Sequence, residues 1–195
     1  MGEKSTQKKQ FILETAKKVF MEKGFKNVTM KDVVEACEIS RGGLYLYFSS
    51  TEELFLEVLK MDMEETDDVF SDKIGDDATI TDILLLFLKE QKREMLRKKN
   101  NLAVATYEYL FANKLPKGKN PVKKRFETAV MMLNKLLDAG VERGEFICED
   151  TLGTARNIMY VLEGIKITAS TVGISEEKVD AELVFIIKGL VGEEE

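Results

Sequence analysis

Between Thr29 and Leu54 the chain reads TMKDVVEACEISRGGLYLYFSSTEEL, and its chemistry-bearing side chains are of kinds that bind without reacting. Arg41 offers a planar fork of N–H donors that suits a guanine edge. Tyr45 and Tyr47 offer hydroxyls to phosphates and flat rings to thymine methyl groups. Gly42 and Gly43 strip side chains from what would be the first turn of a helix, at roughly 1 kcal/mol each relative to alanine. Bare backbone of that kind lets a helix N-terminus approach another surface closely, and its amides and dipole suit a phosphate. Taken singly, paired glycines fit an ordinary loop, Tyr45 fits a core, and Arg41 carries no information. In this order, directly behind a capped short helix, they read as a recognition helix for double-stranded DNA.

Two short elements must position that helix. Thr29 followed three residues later by Asp32 is the reciprocal pair that satisfies orphan amides at a helix start. About two turns follow, directing Val33, Val34, Ala36 and Cys37 toward a core; the helix breaks at Glu38 and Ile39 and restarts at Ser40, a second good N-cap. Two short helices across a turn of about three residues make a helix-turn-helix.

Over about its first sixty residues the sequence resembles the TetR-type transcriptional regulators. The resemblance is carried by Gly24 and Phe25 after a first helix, Thr29 opening a second, Ser40, the small pair Gly42 and Gly43, Tyr45 and Phe48, and then Glu52, Glu53 and Leu54. It implies that Arg41, Gly42 and Tyr45 face bases, and that Thr29, Gly43 and Tyr47 face phosphates, on a surface that also takes in Lys31, Ser40 and Thr51. Ile39, Leu44 and Phe48 would be core. Two positions depart from the family pattern, Glu38 where glycine is usual in the turn and Thr51 where lysine is usual at the start of the fourth helix. A left-handed Glu38 would cost roughly 1 kcal/mol. Without the lysine, the log-log salt slope of binding falls by about one unit per half-site.

Charge is distributed to match. The chain is acidic overall at −6, yet residues 1 to 50 hold nine Lys or Arg against six Asp or Glu, so that end is +3 and the remainder −9. The first helix, roughly Thr6 to Lys23, sets Phe11, Ile12, Ala16, Val19 and Phe20 at helical spacing among lysines, of which Lys4, Lys8 and Lys9 adjoin the DNA-facing surface or are simply solvated.

The rest of the chain shows no strand signal, so the fold class is all-α with about nine helices. Residues 1–50 form the helix-turn-helix domain and residues 51–195 a helical regulatory and dimerisation domain, the helix over 51–72 connecting them. That helix ends before Gly75. Thr81 or Asp82 caps a long helix running into Arg97, Lys98 and Lys99; a short one spans Ala103 to Asn113; Pro116 and Gly118 lie in a loop. Asn120 and Pro121 start another, ending near Arg143 and Gly144, then Asp150 and Ser175 cap the last two, which run to about Val172 and Leu190.

The last helix contains Val184, Phe185, Ile186 and Ile187 consecutively, more apolar surface than one small chain can bury, though a core helix in a monomer is the plain alternative. With the helix before it, which mixes small residues with apolar ones, it would build a four-helix dimer interface using Val161, Ile165, Val184, Ile187 and Leu190. The resemblance implies the same homodimer, with two recognition helices in successive major grooves about 34 to 36 Å apart and hence a near-palindromic operator. Tyr107, Tyr109, Phe111, Met131, Met132, Met159, Tyr160 and Glu163 would line or flank an effector cavity for an apolar or amphipathic ligand, although core packing explains the apolar ones equally well.

Complete absence of histidine removes the usual general base and the commonest metal ligand, so no catalysis, metal or cofactor is expected. Two isolated cysteines, no membrane-length apolar run and no signal peptide suit a cytoplasmic protein. The sequence therefore implies a ligand-responsive regulator, a repressor by family default. Its rival is an all-helical adaptor that keeps the helix-turn-helix shape without binding DNA.

Overall fold

The computed structural model describes residues 3–71, 77–96, 102–113, 115 and 120–191. Among them every regular element is helical: α1 Glu3–Lys23, α2 Met30–Cys37, α3 Arg41–Tyr45, α4 Thr51–Ser71, α5 Ile80–Leu96, α6 Ala103–Ala112, α7 Pro121–Glu142, α8 Thr151–Thr171 and α9 Glu176–Lys188. Gly75, Arg97, Lys98, Lys99, Pro116 and Gly118 lie outside the described residues. The chain divides into two compact units, Met1–Val69 with Lys99–Pro121, and Phe70–Lys98 with Val122–Glu195.

The first unit extends well past residue 50, because α4 and α6 complete its core. Ile12, Leu13, Ala16, Val19 and Phe20 make the buried stripe of α1, and Leu54, Phe55, Val58, Leu59 and Met61 of α4 pack in the same cluster with Leu102, Ala105 and Tyr109. Phe11 does not join them. It sits one step, about 100° around the helix, from Ile12, and is 49% exposed.

At the centre lies a group of aromatic rings drawn from three helices and a turn. Phe55 meets Phe20 at 4.7 Å, Phe25 at 5.0 Å and Tyr109 at 5.4 Å between centroids, and Phe25 meets Tyr109 at 4.8 Å. Tyr109 is completely buried and donates its hydroxyl to Glu52 Oε1 at 2.8 Å, so burial and then the carboxylate both push its pKa upward. Its neighbour Glu108 accepts the Lys26 amide at 3.0 Å. That contact fixes the turn after Gly24, whose φ of +74° closes α1 in the left-handed conformation glycine adopts without strain.

In the second unit Ile80, Leu84, Leu88 and Met95 of α5 share a core with Val130, Leu133 and Leu137 of α7, with Ile158, Met159, Leu162 and Ile165 of α8, and with Val179 and Leu183 of α9. The cap of α5 is Thr79 rather than Thr81 or Asp82. Thr79 and Asp82 exchange backbone and side-chain hydrogen bonds across the first turn, and the amides of Ile80 and Thr81 donate to Glu145 at 3.2 and 2.8 Å. Asp150 and Ser175 cap α8 and α9. Lys92 of α5 ties down α9 through Glu176 at 2.8 Å and Asp180 at 2.6 Å.

Tyr109 provides the test of the first unit's core. Tyr109→Phe removes one hydrogen bond and should cost about 1 kcal/mol. Tyr109→Ala empties the centre of the ring cluster and should cost roughly 3 to 5 kcal/mol. Urea unfolding of both variants measures the difference.

Candidate nucleic-acid interface

Helix α2 is built from its cap inward. Thr29 Oγ1 accepts the Asp32 amide while the Asp32 carboxylate accepts the Thr29 amide, a complete capping box. Lys23 also donates to Asp32 at 2.6 Å, and together with Thr29 holds that carboxyl far below the usual carboxylate range. Val33 and Cys37 turn inward, and burial pushes the Cys37 thiol up. Ala36, by contrast, is exposed, since it lies on the far side of this two-turn helix.

The turn is made by Glu38 at φ 53° and ψ 38°, the only non-glycine residue with positive φ among those described, and its amide donates back to Glu35 O at 3.2 Å. Ser40 follows in extended conformation and accepts the Gly43 amide at 3.1 Å, opening α3. Leu44 and Phe48, four residues apart, are buried and pin one side of α3 to the core.

The other side is left bare. Arg41, Gly42, Tyr45 and Leu46 are exposed, with Tyr45 at 42% and Leu46 at 83%. The guanidinium of Arg41 lies 5.4 Å from the Tyr45 ring centroid, a cation–π contact one turn along the helix that limits the directions the long side chain takes. A methyl added at Gly42 would meet nothing within 4 Å, so nothing inside the protein calls for glycine there. At Gly43 the same methyl would crowd the Ser40 hydroxyl at 3.1 Å and approach Lys8 Nζ at 3.9 Å, which places Lys8 of α1 beside the start of α3.

Around this surface, Tyr47 is half-buried and its hydroxyl receives Ser5 Oγ at 3.4 Å. Thr29 and Ser40 are exposed and Thr51 is half-buried at the first position of α4. Lys31 reaches solvent and pairs loosely with Glu35 at 3.6 Å. Lys9 turns away toward α4, bonded to Glu57 at 2.8 Å with its ammonium over the Phe48 ring. Ser50 caps α4 by accepting the Glu53 amide at 3.1 Å, while Glu53 accepts the Ser49 amide at 2.7 Å.

The residues expected around an effector divide between the two units. Tyr109 is consumed by the first unit's core, where Tyr107 stacks near Phe111, itself 83% exposed. In the second unit Met159 is buried in the core, whereas Met131 at 51%, Met132 at 65% and Tyr160 at 64% face outward, Tyr160 against Phe126 at 5.3 Å. Glu163 accepts Lys166 Nζ at 3.2 Å. Of the expected dimer residues, Ile165 and Leu190 are 6% and 1% exposed and pack in their own unit's core. Val184 is exposed, Val161 and Ile187 are half-buried, and Phe185, Ile167 and Val172 supply further uncovered apolar surface on or beside α8 and α9. Among the described residues no cluster could hold a metal ion, and no helix is long and apolar enough to cross a membrane.

An all-helical chain with a capped helix-turn-helix, whose second helix shows the solvent a bare glycine between an arginine and a tyrosine, defines the class of helix-turn-helix transcriptional regulators. Comparison with known proteins narrows it. The family described as "Bacterial regulatory proteins, tetR family" matches residues 12–58, and "Tetracyclin repressor-like, C-terminal domain" matches residues 83–180. YfiR, an HTH-type transcriptional regulator of Bacillus subtilis strain 168, is 35% identical over 171 residues, covering 87% of this chain and 82% of that protein. A TetR transcription regulator from Haloarcula marismortui superposes with a TM-score of 0.83 at 17% identity, over 95% of this chain and 100% of that one. A transcriptional regulator from Saccharomonospora viridis, in complex with choline, superposes at 0.82 with 19% identity, over 96% and 100%. The chain belongs to the TetR family of DNA-binding transcriptional regulators, which are not enzymes.

Two substitutions test the local geometry. Gly42→Ala meets open space and should stabilise the isolated protein by up to about 1 kcal/mol, yet weaken DNA binding about tenfold where the helix lies close against the groove; thermal melts and binding titrations separate the two effects. Glu38→Gly should raise stability by roughly 1 kcal/mol by relieving the left-handed turn, read as a higher urea midpoint at unchanged slope.

Proposed function

We propose that the protein acts as a homodimer on a near-palindromic operator, represses transcription there, and is released by a small apolar or amphipathic effector. The observation that carries the DNA half is the uncovered side of α3, where Arg41, Gly42 and Tyr45 lie together and glycine has no internal reason to be there. In this reading Arg41 donates to a guanine edge, Gly42 lets the helix close on the groove, and Tyr45 faces a base. Thr29, Lys31, Ser40, Gly43, Tyr47 and Thr51 meet phosphates, joined by Lys8.

Residues 1–50 carry the base-contacting side chains of the reading head, and α4, starting at Thr51, links them to the regulatory segment 51–195. The exposed Val184 and Phe185 of α9 support a partner helix packed there. Exposed Met131 and Tyr160 suit a flexible, amphipathic ligand face more than a polar one, and the S. viridis relative that binds choline has the same fold. Effector binding would favour a body conformation that moves α4 and changes the spacing of the two heads.

Selection of bound fragments from random DNA near physiological salt tests this, with Arg41→Ala and Tyr45→Ala in parallel. The expected result is a two-fold symmetric site whose half-sites lie about one helical turn apart or somewhat wider. Arg41→Ala should lose roughly 1 to 3 kcal/mol per half-site and relax specificity at one base pair. Absence of any enriched sequence, or enrichment indifferent to both variants, would sink the reading.

A further inference from the structure

We propose that Leu46 is a specificity-determining residue that reads the C5-methyl group of a thymine in each operator half-site. The inference rests on α3 entering the major groove as described above. Leu46 is 83% exposed, beside Tyr45 at 42%, whereas Tyr47 is half-buried and Leu44 and Phe48 are buried. Its exposure is not looseness. The backbone at Leu46 is helical, at φ −66° and ψ −24°, and its amide donates to Gly42 O at 3.2 Å, so the Cα–Cβ bond has a fixed direction.

That direction matters because helical side chains lean toward the N-terminus and cover the turn before their own. The turn before Leu46 is that of Gly42, which has no side chain, and the space over Gly42 is empty to 4 Å. The exposed isobutyl group, the bare backbone at Gly42 and the Arg41–Tyr45 pair thus all belong to the uncovered side of one short stretch of chain. Single exposed leucines are ordinary on protein surfaces. This one is continuous with the face that meets DNA, and there its partner is constrained. Donors and acceptors line the major-groove edges of all four bases, and the thymine methyl is the apolar group among them. Leucine neither donates nor accepts, so it gains from thymine and from no polar edge. Arg41 would then fix a G·C pair and Leu46 a neighbouring T·A pair, one by hydrogen bonds and the other by shape.

Replacing thymine with deoxyuridine removes this methyl and leaves the pairing intact, which gives a direct test. A duplex recovered by selection is resynthesised with one symmetric pair of thymines at a time replaced, and each version is titrated with wild type, Leu46→Ala and Arg41→Ala. One methyl taken out of water is worth about fourfold in affinity, hence about fifteenfold for two half-sites. At one symmetric position wild type and Arg41→Ala should show that loss, and Leu46→Ala should show none. Leu46→Ala must melt at the wild-type temperature, as expected for so exposed a side chain. Equal uracil sensitivity of wild type and Leu46→Ala at every position, or none anywhere, overturns the assignment to Leu46 while the reading head stands. If no duplex is enriched, or Arg41→Ala binds as well as wild type, the reading head itself fails and Leu46 falls with it.

Discussion

A helix of five residues has no stability of its own, since nucleation alone costs more than so few hydrogen bonds return. Everything about the DNA-reading surface depends on how α3 is held from outside. Ser40 satisfies one end, Leu44 and Phe48 are driven into the core, and the chain then enters α4 through a turn locked by Ser49, Ser50 and Glu53. Helix α4 in turn is held by Phe55 at the hub of the aromatic cluster. The exposed side chains of α3 are as well placed as that cluster is rigid, and the two glycines that weaken the helix are tolerable because its shape is imposed rather than intrinsic.

The same logic explains why this surface combines order with poor local propensity. Gly42 and the left-handed Glu38 each oppose stability, the exposed Leu46 adds nothing to it, and all three lie within nine residues of one another. By contrast Gly24 occupies the positive-φ position that suits it. Conflict gathered in one short stretch is the pattern expected where a surface is shaped for something outside the molecule.

Features encoded within a few residues were legible in the sequence. The Thr29–Asp32 box, the caps at Ser40, Asp150 and Ser175, the start at Pro121 and the turn at Glu38 all depend on neighbours no more than four positions away. What depended on distant packing was not. Tyr109 looks like any tyrosine on a short helix until α1 and α4 close around it, and Leu190 looks like partner surface until its own unit takes it in. The cap of α5 is local but ambiguous in the sequence, where Thr81 and Asp82 compete with Thr79 until the hydrogen bonds between Thr79 and Asp82 assign the roles. The division at Val69 reflects the same difficulty, because a periodic pattern shows that α4 buries a face but not in whose company.

The membership of α6 in the first unit has a consequence for how such a protein is made and diversified. Residues that complete the head's core, Ala105 and Tyr109, come off the ribosome some forty residues after α4 has been synthesised. The head therefore emerges as an unfinished object and must wait, its aromatic centre open, until a piece of the later chain arrives to close it. For recombination between relatives the implication is equally concrete. A crossover in the loop before α4, where the helix-turn-helix ends in the sequence, separates Phe55 and Tyr109 from the α1 and α2 surfaces they were selected to fit. A reading head inherited intact travels with two segments of chain, and the sequence between them belongs to the other unit.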